Sequence, residues 1–528
     1  MLVVSRALVS GSTVALMLGA TAVSAQPYDL QQCMDPDLDP TTEIFATKFK
    51  KKFSRNWKLT YKGTRKELQI DKFGYSGKTG KQTHLLYQCG TSISKQEQNK
   101  FKPKFRIPVP VQAVVLNSAS ILPYLEHFGL LDKVTGYIGN IEYVVSPCFL
   151  ERIENFDVVA YDNMDDYRNR PDDHTEGEVV LDNTYGEPET LPAGKKLLSF
   201  VPYHEKHPHA MWEWHGVIAA LFNLDEKAQK QEAVLQNAYK CSKRLLKAKK
   251  AAKTKVAWAY VSNYDGQYWD VPPQNACAGT PMTKPYYCSL IELCGGELLT
   301  PTVEGSGNFN NLNNAEFIDY AKDADYLFFP GDNWAFDTET KRILGSDWKE
   351  GEGELEESRQ YVEFDDFKFM KNNQVYDVQA TGLDDWFESK NGELEQLGAD
   401  ICAVLTEHKQ YKGQKFLGHK RRFLRNVFYT DEVPKPPTKC EGAYRKTCVD
   451  APASFTLLDK TTKKYINCRK VMKMNTKKKK KICMSSTLVK VKNGPTMQRR
   501  VANLCEASCG LCGDNVCFKW DEEGRSYV

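Results

Sequence analysis

The sequence predicts an α/β protein with two βα lobes, joined by a long helical segment and followed by a small disulfide-rich domain. Apolar runs of strand length alternate with capped helices over residues 105–211, and this alternation restarts over 254–410. Between the lobes, residues 212–253 have apolar positions at helical spacing and contain no proline. Eight of the sixteen cysteines lie in 440–528. Two lobes beside one helix leave a cleft, which is the usual place for a ligand.

The first lobe opens with a strand, a capped helix and a second strand. Residues 111–116 are almost continuously apolar, as in a buried parallel strand. The turn at 117–120 carries asparagine and serine, which favour a helix N-cap, and 121–128 has helical spacing. Gly129 ends that helix, and residues 133–138 begin the next strand. This order is a βαβ unit, which predicts a parallel sheet.

The second lobe repeats the pattern after a helical stretch. We expect that stretch to break near Asn223 and Asp225, because Asp225 is a good N-cap for a new helix. The predicted strands are 256–261, 325–330 and 374–378, and the predicted helices are 289–294, 315–321 and 394–407. Residues 411–439 then form a predicted linker to the cysteine-rich domain.

The N-terminal 25 residues have the pattern of a secretory signal peptide. Arg6 precedes an apolar stretch, and the small residues at 23–25 suit signal peptidase. An uncleaved signal anchor is the alternative. The sixteen cysteines agree with an oxidising compartment, so we expect a secreted, cell-surface or lumenal protein.

The net charge of +4 conceals two strongly basic segments around an acidic centre. Residues 48–104 contain sixteen Lys and Arg against three Asp and Glu, and residues 440–528 contain nineteen against eight. The extension at 26–104 is either a solvated segment or an independent strand-rich subdomain, with Cys33 and Cys89 able to close one loop. In a secreted protein its basic charge favours an acidic surface or polysaccharide as partner over nucleic acid.

Residues 105–410 resemble the periplasmic binding proteins for ferric siderophores, haem and cobalamin. The motifs that carry the resemblance are 114–120, 129–136, Trp212-Glu213-Trp214, 293–297, 314–317, 323–327, 374–378 and 385–388. The resemblance implies the two-lobed, helical-backbone (class III) fold of that family, with a long interlobe helix. Within the family, the chain most resembles the ferrichrome-binding-like proteins of algae.

The C-terminal cysteines resemble a second family, the ShK-toxin-like domains. The ending Cys505-x3-Cys509-x2-Cys512 is the most specific part of this pattern. By the family pattern the pairs would be Cys448–Cys512, Cys468–Cys505 and Cys483–Cys509, although spacing alone allows fifteen connectivities. A zinc site at 509–512 is the alternative, disfavoured because no histidine occurs in the tail.

Candidate ligand-binding residues come from predicted loops and element ends, where core packing is less automatic. Aromatic faces with a few polar groups suit a large planar or lipophilic chelate, although about half of these aromatics can equally belong to the core. The candidates are Asn117, Ser118, His204, Trp212, Trp214, His215, Tyr268, Trp269, Trp334, Trp386 and Phe387.

Four of the nine histidines fall between residues 204 and 215, which suggests two interpretations. Direct metal binding is one, and an ordinary surface or cleft loop is the favoured one. The segment is not an H-E-x-x-H motif, and we expect Pro208 to disfavour a helix that would align two imidazoles. The sequence therefore predicts no resident metal and no intrinsic cofactor.

The sequence as a whole predicts a binding protein rather than an enzyme. It contains neither a Gly-x-Ser-x-Gly elbow nor a dinucleotide-binding fingerprint. The resemblance implies capture of a ferric siderophore, such as a ferrichrome-like hydroxamate, for iron uptake, with a membrane uptake or reductase partner. Cobalamin or haem is the alternative ligand, and a secreted metal-dependent enzyme or an adhesive matrix protein is the alternative class.

Overall fold

The computed structural model describes residues 28–429, apart from internal gaps, and six strands between 455 and 527. The gaps are 75–76, 171–177, 184–190, 193, 234–252, 262–267, 280–283, 303–309, 332–333, 338–341, 346–365 and 408–420. The predicted signal peptide lies outside the described residues, as do the cysteines of the predicted ShK-like domain. Within the described ranges, no helix combines the length and the apolar character needed to span a bilayer.

A four-stranded sheet precedes the two lobes. Its strands, in spatial order, are β1 (Trp57–Lys62), β2 (Arg65–Gly74), β3 (Gly77–Gln88) and β4 (Arg106–Val109). The first three pair antiparallel, and β4 joins β3 in parallel. The disulfide Cys33–Cys89 confirms the predicted loop closure. Between β3 and β4, α1 (Lys95–Lys100) begins with a capping box formed by Ser94 and Glu97.

This N-terminal sheet is part of the first lobe's core. Phe49, Trp57 and Leu68 belong to the same buried cluster as Val114 and the helical residues that follow the lobe. Gly216 permits the contact, because a Cβ atom there would lie 2.4 Å from Cε1 of Phe49. The segment is therefore strand-rich, as one interpretation predicted, but both a solvated extension and an independent subdomain are wrong.

The first lobe contains a five-stranded, wholly parallel sheet with the spatial order β7-β6-β5-β8-β9. Its strands are β5 (Val114–Leu116), β6 (Val134–Ile138), β7 (Val159–Tyr161), β8 (Val179–Asp182) and β9 (Lys196–Ser199). Its helices are α2 (Leu122–Glu126), α3 (Pro147–Glu154) and α4 (Met164–Asn169). The βαβ unit predicted from the apolar runs is confirmed.

The second lobe contains another five-stranded sheet, with the order β13-β10-β15-β18-β19. Its strands are β10 (Thr254–Trp258), β13 (Gly296–Leu298), β15 (Tyr326–Phe329), β18 (Val375–Asp377) and β19 (Arg425–Asn426), the last one antiparallel. A three-stranded sheet is formed by β11 (Tyr260–Val261), β12 (Trp269–Val271) and β14 (Asn310–Leu312). A separate hairpin is formed by β16 (Trp334–Asp337) and β17 (Arg342–Gly345). The predicted two-lobed α/β fold class is confirmed.

The helical segment between the lobes is interrupted twice in its described part. It contains α5 (Pro208–Trp212), α6 (His215–Leu221) and the helical residues 225–233. Asn223 has φ of 53°, a left-handed conformation that ends α6, so the predicted break is confirmed. A second interruption, at Glu213 and Trp214, was not predicted. The rest of the predicted helical segment, residues 234–252, lies outside the described residues.

The remaining helices pack on the second sheet. They are α7 (Tyr286–Leu293), α8 (Asn314–Ala321), α9 (Lys368–Lys371), α10 (Leu383–Ser389) and α11 (Leu394–Glu407). The disulfides Cys277–Cys288 and Cys294–Cys402 fix α7 to its preceding loop and to α11. Cys148 is also disulfide-bonded. The sequence did not predict these bonds.

The cysteine-rich region is described only as strands. Four of them form a sheet in the order β21-β20-β22-β23, and two form a hairpin. They are β20 (Phe455–Asp459), β21 (Lys464–Ile466), β22 (Ser486–Val491), β23 (Thr496–Arg500), β24 (Lys519–Trp520) and β25 (Ser526–Tyr527). The ShK-like pairing stays a prediction.

Candidate ligand-binding site

The strand order of the first lobe positions a polar turn. The order in which strands are added to the sheet reverses between β5 and β8. These two parallel strands lie side by side although β6 and β7 separate them in sequence. Loops at such a reversal diverge and leave a crevice beyond the carboxyl ends of the strands. Asn117 follows β5 at this point, and Asn183 follows β8. The predicted candidates Asn117 and Ser118 therefore lie at the crevice of the first sheet.

Hydrogen bonds hold these side chains in place. The amide of Asn117 donates to Asp182, and its oxygen accepts the main-chain N–H of Asn183 at 2.7 Å. The side-chain amide of Asn183 donates to the hydroxyls of Ser120 at 2.7 Å and Ser118 at 3.2 Å. Asn117 and Ser118 are half-buried. The turn thus presents fixed amide and hydroxyl groups, which suit polar recognition of a ligand.

The strand order of the second lobe also reverses, between β10 and β15. The small sheet that continues from β10 carries Tyr268 and Trp269, two neighbouring candidates with opposite environments. Tyr268 is 38% exposed. Trp269 is fully buried and stacks on Phe317, with ring centroids 3.8 Å apart. Tyr268 can therefore meet a ligand, whereas Trp269 packs the core.

The two lobes meet along a seam where α10 packs against α2 and the turn Ala119–Ile121. The N–H of Val145 donates to Oε2 of Glu388 at 2.7 Å, and the hydroxyl of Tyr124 donates to the carbonyl of Asn391 at 2.7 Å. A Cβ atom on Gly392 would lie 2.8 Å from Pro123, so only glycine fits this contact. The polar turn after β5 leads directly into the elements that form this seam.

Exposed apolar side chains flank the seam. Tyr143, 61% exposed, lies two residues before Val145, and Phe387, 48% exposed, immediately precedes Glu388. Their backbones therefore lie on either side of the hydrogen bond between Val145 and Glu388. Large exposed aromatic side chains are typical of binding surfaces. Phe387 is a predicted candidate, and Tyr143 is not.

A lysine without a carboxylate partner lies at the same seam. The ammonium of Lys390 lies 4.3 Å from the ring centroid of Trp386 and 5.6 Å from that of Tyr286. No ion pair to Lys390 occurs in the described part of the chain. Burial lowers its pKa to about 8. The neighbouring Arg422, in contrast, is neutralised by ion pairs to Asp385 and Glu393.

Glu388 is the acid of the seam. Burial raises its pKa well above the ordinary range, and the nearby charge of Glu126 raises it further. Glu126 itself accepts a hydrogen bond from the hydroxyl of Ser146. The raised pKa favours the protonated form of Glu388 more than in an exposed glutamate, and no ion pair between Glu388 and Lys390 occurs in the described part of the chain.

Three further predicted candidates belong to the core, as Trp269 does. Trp214 is fully buried, and its indole N–H donates to Glu205 at 3.3 Å. Trp212 and His215 are buried with their rings 4.8 Å apart, and His215 also lies 4.4 Å from the ring of His127. Their faces are occupied by protein, so the expectation that they are open to a ligand is corrected to a packing role.

The remaining candidates have mixed environments. Trp386 is buried, with its ring edge toward Phe423 at 5.9 Å and the Lys390 ammonium over it. Trp334 begins β16, and its side chain lies outside what the structure describes. His204 is half-buried, 4.5 Å from the ring of Tyr203. Burial lowers the pKa of His204, which keeps the imidazole neutral.

The histidines of the 204–215 segment do not converge. His207 and His209 both stack on Phe53, with centroid distances of 4.9 Å, while His215 belongs to a different cluster. No group of metal-ligating side chains occurs among the described residues. Pro208 occupies the first turn of α5, where its missing N–H costs nothing, so His204 and His207 lie outside the helix that contains His209.

Sequence reasoning missed Tyr143, Tyr286 and Lys390. A signal existed for Lys390, which follows Trp386 by four positions at the end of α10, a spacing that places two side chains on one helix face. Tyr143 and Tyr286 carry no such local signal, because the exposure of Tyr143 and the partly buried position of Tyr286 depend on tertiary packing.

Comparison with known proteins identifies similar architectures only among solved structures. No protein-family model matches the sequence, and no curated protein matches it. A periplasmic binding protein from Veillonella parvula has 11% identity and a TM-score of 0.39, covering 64% of this chain and 97% of its own. The FhuD protein from S. pseudintermedius has 11% identity and a TM-score of 0.36, covering 64% and 99%. A periplasmic heme-binding protein from Pseudomonas aeruginosa has 11% identity and a TM-score of 0.35, covering 57% and 94%. Two of these three solved structures are thus named as periplasmic binding proteins.

Proposed function

We propose that this chain is a secreted or cell-surface binding protein that captures a ferric siderophore, of the ferrichrome-like hydroxamate type, for iron uptake. The observation that carries the proposal is the seam between the lobes. There, α10, which carries the exposed ring of Phe387, packs against the turn Ala119–Ile121 that follows Asn117. The exposed Tyr143 lies two residues before Val145, whose N–H donates to Glu388. Aromatic faces with few polar groups are the composition of a site for a large organic ligand.

The chemistry of the seam suits the outside of a chelate. Amide and hydroxyl groups at 117–120 can donate to hydroxamate and carbonyl oxygens, and aromatic faces can cover apolar parts of the ligand. Iron would arrive inside its chelator as cargo, so the protein would supply hydrogen bonds and packing. The disulfides Cys33–Cys89, Cys277–Cys288 and Cys294–Cys402 suit the oxidising environment outside the cytoplasm.

A fluorescence titration tests the ligand. The mature protein is titrated with ferrichrome, cobalamin and haem, with ferric citrate as the control for free iron. Saturable quenching by ferrichrome alone would support the proposal. Quenching by cobalamin alone, or by haem alone, would identify that compound as the ligand in place of a siderophore. No response to any of the three would overturn the proposed binding function.

Matched aromatic variants test the site. Phe387→Ala removes an exposed ring beside the seam, and we expect ferrichrome affinity to fall by about tenfold, as for a central aromatic contact. The control is Phe156→Ala, which removes a ring that is 92% exposed and follows the C-terminal end of α3. We expect no change in ferrichrome affinity for this variant. Equal affinities for both variants would place the site elsewhere.

A further inference from the structure

Residues 48–62 form a basic surface strip on the N-terminal sheet. These fifteen residues contain seven Lys and Arg and no Asp or Glu. Six of the seven are exposed, namely Lys48, Lys50, Lys52, Arg55, Lys58 and Lys62. Lys48 pairs with Glu43 at 2.9 Å. No ion pair involves Lys50, Arg55, Lys58 or Lys62 within the described ranges.

Two buried carboxylates hold the strip through its backbone. Oε2 of Glu213 accepts the N–H of Phe53 at 2.9 Å and of Ser54 at 2.6 Å, and its other oxygen accepts the N–H of Lys52. Glu205 accepts the hydroxyl of Ser54 and the N–H of Asn56 at 3.2 Å. Glu213 and Glu205 therefore bind the main chain of the strip, and six of its seven basic side chains are exposed.

Aromatic packing fixes the strip from the other side. Phe53 stacks on His207 and His209 of α5 with centroid distances of 4.9 Å. From Trp57 onward the strip becomes β1, an edge strand whose buried Trp57 alternates with the exposed Lys58, Thr60 and Lys62. The main chain of the strip is thus fixed by packing at Phe53 and by strand pairing from Trp57 onward, which reduces the entropy lost when a partner binds.

We propose that this strip binds an anionic polysaccharide and thereby retains the protein at an acidic matrix or cell surface. An extended row of cations on one edge of the molecule complements a linear polymer that carries repeated sulfate or carboxylate groups. A bilayer fits less well, because none of the large exposed hydrophobic side chains of the described residues lies in 48–62 to insert into lipid. The strip shares no residue with the seam, so this inference does not depend on the proposed ligand.

The test compares two charge-matched variants of the full disulfide-bonded chain. The strip variant carries Gln at four exposed cations, Lys50, Arg55, Lys58 and Lys62. The control carries Gln at four exposed lysines of the second lobe, Lys253, Lys255, Lys322 and Lys371. Binding to heparin and to polygalacturonate is measured at increasing salt, alongside vesicles of phosphatidylcholine with phosphatidylserine. Circular dichroism checks that both variants fold.

We expect the wild-type chain and the control to bind both polysaccharides, and the strip variant to bind about tenfold more weakly, as for the loss of four exposed charge contacts. Salt should weaken wild-type binding, because exposed charges are screened. An equal loss in both variants would mean that only net charge matters and would overturn the proposal. No loss in the strip variant would also overturn it, and so would retention by anionic vesicles but not by polysaccharide.

Discussion

The ammonium of Lys66 lies 2.6 Å from Oδ2 of Asp225, and both side chains are buried. The same ammonium donates to the carbonyl of Ala220 and to Oδ1 of Asn223, each at 2.9 Å, and the hydroxyl of Tyr61 donates to Oδ1 of Asp225 at 2.6 Å. This ion pair is therefore fully hydrogen-bonded. It fixes strand β2 to the point where the helical residues 225–233 begin.

Breaking this pair should destabilise the whole first lobe. Removing one partner leaves an uncompensated buried charge, so we expect Asp225→Ala to lower the free energy of unfolding by about 3–5 kcal/mol. Chemical denaturation of Lys66→Met, Asp225→Ala and the double variant measures the coupling between the two residues. The double variant should lose clearly less stability than the sum of the single losses, and additive losses would contradict the buried pair.

Glu213 should make stability depend on pH. Burial raises its pKa from the ordinary 4.5 to about 7, although three main-chain N–H groups oppose the shift. The folded chain therefore holds a proton that the unfolded chain releases between these values, so stability falls as pH rises from 4.5 to 7. The slope is at most about 1.4 kcal/mol per pH unit.

Glu213→Gln should remove this slope in a denaturation series over pH 4.5–7. The exposed Glu297 provides the control, because Glu297→Gln should leave the pH profile of the wild-type chain unchanged. A Glu213→Gln profile parallel to that of wild type would show that Glu213 stays ionised in the folded chain.

Lys390 should titrate close to neutral pH. Its pKa of about 8 reflects burial beside Trp386 and Tyr286. Labelling by trinitrobenzenesulfonate needs the neutral amine, so the labelling rate of Lys390 should reach half its plateau near pH 8. Peptide mapping follows the labelling of Lys390 separately from that of the exposed Lys255, which serves as the control. Coincident pH profiles would contradict the burial of the Lys390 ammonium.

The neighbours Tyr268 and Trp269 should respond oppositely to truncation. Trp269→Ala removes a ring stacked on Phe317 and should cost about 3–5 kcal/mol of unfolding free energy. Tyr268→Ala removes an exposed ring and should cost less than about 1 kcal/mol while weakening ligand binding. Thermal melts and ferrichrome titrations measure the two effects, and a large loss of stability for Tyr268→Ala would be inconsistent with its exposure.

The sequence was sufficient for the lobes because their signals are local. Apolar runs, a serine cap at Ser118 and a stop at Gly129 each act within a few residues, and the βα order follows from them. The packing of the N-terminal sheet could not be predicted in this way. It depends on Lys66 meeting a residue 159 positions away, and a lysine in a basic segment gives no local indication of burial.

The candidate site was predictable only in part for the same reason. Asn117 follows a strand whose position in the sheet can be inferred from the βαβ order, so its place at a crevice was accessible to sequence reasoning. Tyr268, in contrast, immediately precedes Trp269, the first residue of β12, and successive side chains along extended chain point to opposite faces. Which face is buried depends on Phe317, a contact that no local pattern encodes.

The dependence of the N-terminal sheet on Asp225 also sets an order of events during synthesis. The strands β1 to β3 leave the ribosome early, but the groups that cover Lys66 and its apolar neighbours are made only 159 residues later. At about 5–20 residues per second this delay lasts on the order of ten to thirty seconds. Throughout that interval Lys66 and part of the apolar face of the nascent sheet lack their native cover, so we expect the sheet to complete its folding only after residue 225 has been made.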